Sequence, residues 1–312
     1  MSNWTVKDIP NQTDRVAIVT GANSGLGYQS SLALAKKGAT VVMACRNQKQ
    51  GQQALDQIKQ QVPNARLELA SLDLSDLASI HTFATEFKLR HDKLDVLLNN
   101  AGIMAIPRGE TKDGFEMQLG VNHLGHFALT GLVLENLLNT AHSRVVTTTS
   151  LVHAIGRINF ENLQMQRRYT RYGAYAQSKL ANLLFAFELQ RRLKAIGADV
   201  ISVAAHPGYA NTSLQNTSAT ASGSLLESLW YPIGNTIMAQ SAEMGALPQL
   251  YAATAPEIKG GELYGPLFLT RGQPRHDWAM PAAYNQAVAQ RLWVVSEELT
   301  TVHYNFTKPA IV

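Results

Sequence analysis

The chain has 312 residues, 46% of them hydrophobic, and a net charge of +4 with histidine neutral. This content is enough for a substantial core, and the interspersed acidic and basic residues argue against a dedicated nucleic-acid surface. No run approaches the roughly 20 apolar residues of a membrane helix, and the start Met1-Ser2-Asn3-Trp4-Thr5 shows no signal peptide. We therefore expect a cytoplasmic protein without a membrane anchor. The single cysteine, Cys45, excludes an intramolecular disulfide and lies in an apolar run, which predicts a buried thiol.

Short apolar runs alternate along the chain with longer amphipathic segments. The predicted strands are Arg15–Thr20, Thr40–Cys45, Arg66–Leu72, Leu94–Leu98, Ser143–Thr149, Asp199–Ala205 and Glu262–Tyr264. The predicted helices are Gly25–Lys37, Gln48–Gln61, Leu77–Arg90, Gly114–Leu138, Arg171–Ile196, Ala239–Ala253 and Ala282–Glu298. The strands are rich in Val, Ile and Leu and scarcely alternate, as in parallel strands buried on both faces. The pattern predicts one α/β domain over residues 1–312, with a doubly wound parallel sheet of about seven strands and helices on both faces.

A glycine-rich turn, Thr20–Gly27, directly follows the first predicted strand and opens the first helix. Glycines let the backbone approach a pyrophosphate, and the helix N-terminus offers unpaired N–H groups and a positive dipole end. Such a turn can also be purely structural, but its place at the first crossover of a doubly wound sheet favours dinucleotide binding. The predicted contacts are Gly21, Asn23, Ser24, Gly25, Leu26 and Gly27.

The ends of the second and third predicted strands carry two further candidate contacts to the dinucleotide. Arg46 follows the second strand, where an NAD-selective site carries an acid, and an arginine can donate paired hydrogen bonds to a 2′-phosphate. This favours NADP(H), although an exposed loop arginine is the alternative. At the end of the third strand, Asp73 beside Leu74 can accept a hydrogen bond from the adenine amino group or cap the next helix.

Tyr175 and Lys179 are four residues apart, and therefore lie on one face of a helix. An ammonium beside a phenol favours the phenolate, so we expect the tyrosine pKa to be lowered from its ordinary value of about 10. Alone, this spacing is common on surface helices. It gains meaning from the upstream motifs: the glycine-rich turn, the segment Asn99-Asn100-Ala101-Gly102 that closes the fourth strand, Asn122 and Ser150.

These motifs occur in the order typical of short-chain dehydrogenases/reductases, and the chain resembles that Rossmann-type family over essentially its whole length. Cys45-Arg46-Asn47, Asn122–Phe127 and Ser178–Leu183 resemble the branch that contains retinol dehydrogenases and their bacterial relatives. Animal retinol dehydrogenases commonly carry an apolar membrane anchor, and we expect none in this chain. The extra residues around Gly156–Tyr172 resemble an insertion of the same branch.

The resemblance implies hydride transfer between a nicotinamide and a carbonyl or alcohol carbon. Tyr175 would donate the proton, Ser150 would stabilise the substrate oxygen, and Lys179 would hold the nicotinamide ribose. Asn122 would hold a water of a proton relay, or alternatively satisfy a local helix distortion. The implied cofactor contacts also include Asn100, Ala101, Gly102, Tyr175, Lys179, Pro207, Gly208 and Thr212. Family habit also allows a homo-oligomer.

The expected substrate pocket is apolar. It is formed by Ile103–Pro107, Leu151–Ile155, Tyr209 and a lid at about residues 213–255, which favours a hydrophobic aldehyde, ketone or alcohol, retinoid-like or lipid-like. The histidines His123, His126, His153 and His206 lack metal-ligand spacing, so we expect no metal site. Two alternatives are a non-catalytic NADP(H)-binding redox sensor and an enzyme like the light-dependent protochlorophyllide reductase. The complete Asn–Ser–Tyr–Lys set argues against the first, and the single cysteine against the second.

Overall fold

The computed structural model describes residues 4–209 and 240–307. The strands are β1 Val16–Thr20, β2 Thr40–Cys45, β3 Arg66–Ser71, β4 Val96–Asn99, β5 Arg144–Thr148, β6 Ile201–Ala205, β7 Leu263–Pro266 and β8 Pro274–Asp277. The α-helices are α1 Gly25–Lys36, α2 Gln48–Gln61, α3 Leu77–Arg90, α4 Met117–Leu119, α5 Gly125–Leu132, α6 Leu134–Leu138, α7 Arg171–Ala195, α8 Ala242–Thr254 and α9 Gln286–Thr300.

The strands form one sheet in the order β3-β2-β1-β4-β5-β6-β7-β8. Every pair from β3 to β7 is parallel, and only β8 runs antiparallel, beside β7. The order reverses between β1 and β4, which opens a crevice at the carboxyl ends of these strands. The predicted doubly wound α/β fold is confirmed.

Helices cover both faces of the sheet, which explains why the strands do not alternate in polarity. Val19 and Met43 pack on one face beneath α1, α2 and α8. The adjacent Ile18 and Val42 pack on the other face against α3, α5 and α7. Since both faces are apolar, successive residues of the central strand β1 are all buried.

Three expectations about the fold need correction. The sheet has an eighth strand, β8, because the β7–β8 turn brings Pro274–Asp277 back beside β7 although its sequence is polar. The single helix expected over Gly114–Leu138 is broken: α4 leads into a π-helical turn at Gly120–Leu124, and the chain then continues as α5 and α6. Within the expected lid, α8 is a core helix packed on α1, so residues 242–254 are not a lid. Residues 213–239 of that segment lie outside the described residues.

Candidate active site

The glycine-rich turn has the close packing expected of a phosphate-binding turn. Gly21 has a positive φ of 67°, and a Cβ there would lie 3.1 Å from the Cα of Ala101. A Cβ on Gly27 would lie 2.2 Å from the carbonyl oxygen of Gly21. Any larger residue at Gly27 would therefore push the turn away from the start of α1, so the turn can pack this closely on the helix only with glycine at this position.

A cleft of about 660 Å³ opens at the carboxyl ends of β1, β2 and β4. The predicted cofactor residues that line it are Gly21, Asn23, Ser24, Gly25, Leu26, Arg46, Asp73, Leu74, Asn100, Ala101 and Gly102. The predicted pocket residues Ile103 and Ile106 line it too. Sequence reasoning missed Asn47, Gln50, Met117 and Val121 in its wall. The first two could have been found from the helix start, because Asn47 caps α2 by accepting from Gln50 N at 3.0 Å.

Asp73 adopts a local turn at the edge of the cleft. One carboxylate oxygen, Oδ1, accepts hydrogen bonds from the backbone N and the hydroxyl of Ser75, at 2.9 and 2.6 Å. The cap of α3 is instead Asp76, which accepts from Ala78 N and Ser79 N. Of the two roles considered for Asp73, capping is therefore wrong, and the adenine contact stays a prediction.

Ser150 and Tyr175 meet next to this cleft. Ser150 lies two residues after the end of β5, and Tyr175 lies in the second turn of α7 with 5% of its surface exposed. The two side chains are hydrogen-bonded, which by itself lowers the tyrosine pKa, but burial outweighs this contact and raises the pKa of Tyr175 to about 12. In this structure the expected lowering of the tyrosine pKa is therefore wrong.

Lys179 lies one helical turn after Tyr175 and is also buried. Its Nζ lies 5.7 Å from the centre of the Tyr175 ring and donates a hydrogen bond to the carbonyl of Thr148 at 3.2 Å. Burial lowers the pKa of the Lys179 ammonium to about 8. A Cβ on Gly102 would lie 3.5 Å from Nζ, so the lysine borders the end of the cleft that Gly102 lines.

Asn122 sits within the π-helical turn, and its side chain is fully engaged. Its Nδ2 donates to the carbonyl of Ile103 and to the hydroxyl of Ser178, at 3.0 and 2.9 Å, while its Oδ1 accepts from Ile103 N at 2.8 Å. The amide thus fixes the backbone directly after Gly102. These partners lie outside the broken helix, so the alternative in which the amide satisfies a local helix distortion is wrong, and the water-holding role stays a prediction. We call this end of the cleft, where Gly102 lies beside Lys179, the catalytic end.

A buried hydrogen-bond network connects Asn122 to the nucleotide end. His126 Nδ1 must donate to the carbonyl of Asn122, at 3.0 Å, so the Nε2 of the neutral ring can only accept. The Thr20 hydroxyl lies 3.0 Å from this Nε2 and 3.2 Å from the carbonyl of Leu98, and its one proton is shared between these two acceptors. The Thr20 oxygen in turn accepts from the backbone N of Asn100 and of Ala101, both at 2.9 Å. Burial lowers the pKa of His126 to about 4, which keeps this ring neutral near neutral pH.

The network continues from Asn100 through Gln249 of α8. Its Nε2 donates to Asn100 Oδ1 at 3.1 Å and to the Ser30 hydroxyl at 2.8 Å, and its Oε1 accepts from the Thr148 hydroxyl at 3.1 Å. Thr148 is the residue whose carbonyl accepts from Lys179. No local motif could have indicated Gln249, since it is distant in sequence from every group it contacts.

Pro207 and Gly208 follow β6 at the same sheet edge as Ser150, but they do not line the cleft described above. Gly208 has a positive φ of 66° and donates its N–H to His206 Nδ1 at 3.2 Å. His206 Nε2 therefore donates to the carboxylate of Asp277 on β8, at 2.7 Å. Thr212, the remaining predicted contact, lies outside the described residues.

All four histidines considered for metal binding are bonded within the protein. His123 pairs with Ser296 at 2.9 Å, and His153 donates to the carbonyl of Ser150 at 2.7 Å. In the described part of the chain, no group of three or more His, Cys, Asp or Glu side chains is arranged to hold a metal ion. Cys45 is buried as predicted, and burial raises the pKa of its thiol to about 11.

Over residues 4–209 and 240–307, each helix is either too short or too polar to cross a membrane.

Comparison with known proteins identifies the family. The family model for short chain dehydrogenases matches residues 15–222. The chain is 41% identical over 290 residues to retinol dehydrogenase 12 of Homo sapiens, covering 93% of this chain and 87% of that protein. It is 37% identical over 297 residues to polyprenol dehydrogenase of Homo sapiens, with 94% and 87% covered. The crystal structure of an uncharacterized protein from Mycobacterium paratuberculosis is 41% identical, covers 98% of this chain and 100% of its own, and superposes with a TM-score of 0.82. The chain therefore belongs to the short-chain dehydrogenase family of nicotinamide-dependent oxidoreductases.

Proposed function

We propose that this protein is an NADP(H)-dependent oxidoreductase that interconverts a hydrophobic aldehyde or ketone and its alcohol. One observation carries this proposal: the buried Tyr175 is hydrogen-bonded to Ser150, and the buried Lys179, one helical turn later, borders the Gly102 end of a cleft that Arg46 also lines. This arrangement supports a dinucleotide site and a proton-donating group in one crevice of the sheet.

The residues present fit a dinucleotide. Gly21 and residues 23–26 of the turn after β1 line the cleft, and a side chain at Gly27 is excluded because its Cβ would lie 2.2 Å from the Gly21 carbonyl oxygen. The turn leads into α1, whose first N–H groups and positive dipole end suit a pyrophosphate. When bound there, the nicotinamide supplies or accepts the hydride, and the chain's own residues manage the oxygen and the proton.

Tyr175 is the proposed proton donor in the reductive direction. With a pKa of about 12 it is protonated at neutral pH, so its hydroxyl can pass a proton to an oxygen that gains negative charge. Ser150, already hydrogen-bonded to Tyr175, would donate to the same oxygen and stabilise that charge. Lys179 would hold the ribose and restore the proton, since its pKa of about 8 lets it exchange protons near neutrality.

Arg46 supports NADP(H) over NAD(H). It lies at the cleft directly after β2, with an exposed side chain and no acidic residue between β2 and α2. A guanidinium there can bind a 2′-phosphate through two donors, and an acid would repel that group.

The proposed substrate is apolar because the catalytic end of the cleft is apolar. Ile103, Ile106, Met117 and Val121 line the cleft, and Asn122, the neighbour of Val121, lies against Gly102 beside Lys179. Apolar pockets of this kind favour a hydrophobic carbonyl over a sugar or a charged acid. The names of two relatives, retinol dehydrogenase 12 and polyprenol dehydrogenase, support a lipid-like alcohol or aldehyde.

The test is the substitution Tyr175→Phe, assayed by oxidation of NADPH in the presence of apolar aldehydes. We expect kcat to fall at least about a thousandfold, since the proton donor is lost, while NADPH binding measured by its fluorescence persists. Full activity in the variant would overturn the assignment. NADPH binding by the wild type without turnover of any aldehyde would favour the redox-sensor alternative.

A further inference from the structure

The wall of the catalytic end is held by a buried polar cluster that no reaction step uses. Gln118 is fully buried in α4, and its Oε1 accepts from the backbone N of Ala105 at 2.7 Å. Its Nε2 donates to the hydroxyl of Tyr169 at 2.9 Å and to the carbonyl of Arg171 at 3.0 Å. Gln118 thus joins the wall segment, Ala105–Ile106, to Tyr169 and to the first residue of α7.

Tyr169 completes the link from the other side. Because its oxygen accepts from Gln118, its proton is free to be donated to the carbonyl of Ile106 at 2.9 Å. A carboxylate oxygen of the buried Glu116 lies 3.4 Å from the same hydroxyl. Burial, followed by the charge of Glu116, raises the pKa of Tyr169 to about 12, so the phenol remains a donor.

The wall segment depends on these contacts for its shape. Ala105 has a positive φ of 48°, a conformation that residues other than glycine adopt only when held there. It is flanked by two hydrogen bonds from the cluster, one at its own N–H and one at the carbonyl of Ile106. Ile106 is the residue that faces the cleft.

The insertion over residues 156–172 contributes Tyr169 to this cluster and is itself anchored. Gln164 accepts from the backbone N of Glu116 at 2.7 Å, and Gln177 of α7 donates to the carbonyl of Leu163 at 2.9 Å. The insertion is therefore packed beneath the wall of the cleft. Its contribution to the site passes through Tyr169, which lies between the wall and α4.

We propose that Tyr169 is a specificity-determining positioning residue: through Ile106 and Gln118 it fixes the wall that contacts the distal part of a long apolar substrate. Only the kinetic consequence of this proposal, a change in preference between long and short aldehydes, rests on the proposed function. The conformational consequence, a looser Ala105–Ile106 segment, needs neither substrate nor cofactor.

The substitution Tyr169→Phe tests both consequences. It removes the hydroxyl and leaves the carbonyl of Ile106 and one N–H of Gln118 without that partner. In hydrogen exchange we expect the Ala105 amide to exchange about tenfold faster, while the Ile103 amide, bonded to Asn122, stays unchanged. An unchanged Ala105 amide would overturn the proposal, whatever the protein catalyses.

The kinetic readout is the ratio of kcat/KM for decanal to that for propanal with NADPH. We expect this ratio to fall about tenfold, mainly through the KM for decanal, equivalent to about 1.4 kcal/mol. The ratio does not depend on how much of a preparation is active, so partial misfolding cannot imitate the effect. An unchanged ratio would refute the specificity role, and a wild type that reduces neither aldehyde would instead contradict the proposed function.

Tyr251→Phe is the matched control. It removes a tyrosine hydroxyl that is also hydrogen-bonded to a glutamate, Glu257, at 2.7 Å, near the end of α8. Its hydroxyl has no contact with the wall segment. We expect this variant to lose stability without any change in the decanal to propanal ratio, and a matching change would show that the effect of Tyr169→Phe is not specific to the wall.

Discussion

Gln249 offers the sharpest test of how the fold holds the nucleotide end of the site. The substitution Gln249→Leu keeps the approximate volume but removes three buried hydrogen bonds, to Asn100, Ser30 and Thr148. At about 1 kcal/mol each, and more where a buried partner is left unpaired, the loss should lower the free energy of unfolding by about 3 kcal/mol. Urea denaturation followed by circular dichroism measures this loss.

The same substitution should also weaken cofactor binding. Asn100 lines the cleft, and without Gln249 its Oδ1 loses the partner that orients the side chain. We expect the Kd for NADPH to rise about fivefold, equivalent to about 1 kcal/mol. Fluorescence titration with NADPH measures this Kd under conditions where the wild type and the Gln249→Leu variant are both fully folded.

Gln12→Leu is the control that distinguishes a loss of protein stability from a loss of the positioning of Asn100. Gln12 is as buried as Gln249, at 2% exposure. Its amide donates to the carbonyls of Pro10 and Asn11, and its Oε1 accepts from Arg15, so three hydrogen bonds are again lost. None of these partners lines the cleft. If Gln249→Leu weakens NADPH binding no more than Gln12→Leu does, Gln249 supports only the fold and the positioning argument is wrong.

Three further predictions concern single side chains. Arg46→Asp should lower the ratio of NADPH to NADH efficiency about a hundredfold through repulsion of the 2′-phosphate, and an unchanged ratio in steady-state kinetics would refute that contact. Lys179 has a folded pKa of about 8 against 10.5 for an ordinary lysine, so the unfolded chain binds more protons between these values. The free energy of unfolding should therefore rise by about 2 kcal/mol from pH 7.5 to 9.5 relative to Lys179→Met; parallel urea-denaturation curves would contradict it. Cys45 should resist a thiol reagent at pH 8 until the protein unfolds, since its pKa is raised to about 11, and rapid labelling of the native protein would show the strand to be accessible.

The regular part of the fold follows from local sequence. The predicted bounds of β2, α2 and α3 are the observed ones, because β2 is a short apolar run and the cap residues Asn47 and Asp76 directly precede the two helices. The cleft follows as well, since ligands of such sheets bind where the strand order reverses, and the motifs there are short and contiguous.

The rest depends on contacts between distant segments. Strand β8 is polar and begins with a proline, so only its turn after β7 and the bond from Asp277 to His206 indicate its place. The π-helical turn at Asn122 reflects packing that no local propensity records. The raised pKa of Tyr175 depends on burial, which outweighs the nearby serine and which the four-residue spacing to Lys179 did not reveal.

The two outer strands of the sheet have a consequence for assembly. On β3, Arg66 pairs with Asp14, and Glu68 pairs with Arg90 and His91. The other outer strand, β8, is only four residues long, starts with Pro274, which has no N–H to donate, and exposes Arg275 and His276. Charged and proline-bearing edges disfavour pairing with a strand of another chain. Contact between copies of this protein should therefore use helical surfaces, and the sheet should not continue from one subunit into the next.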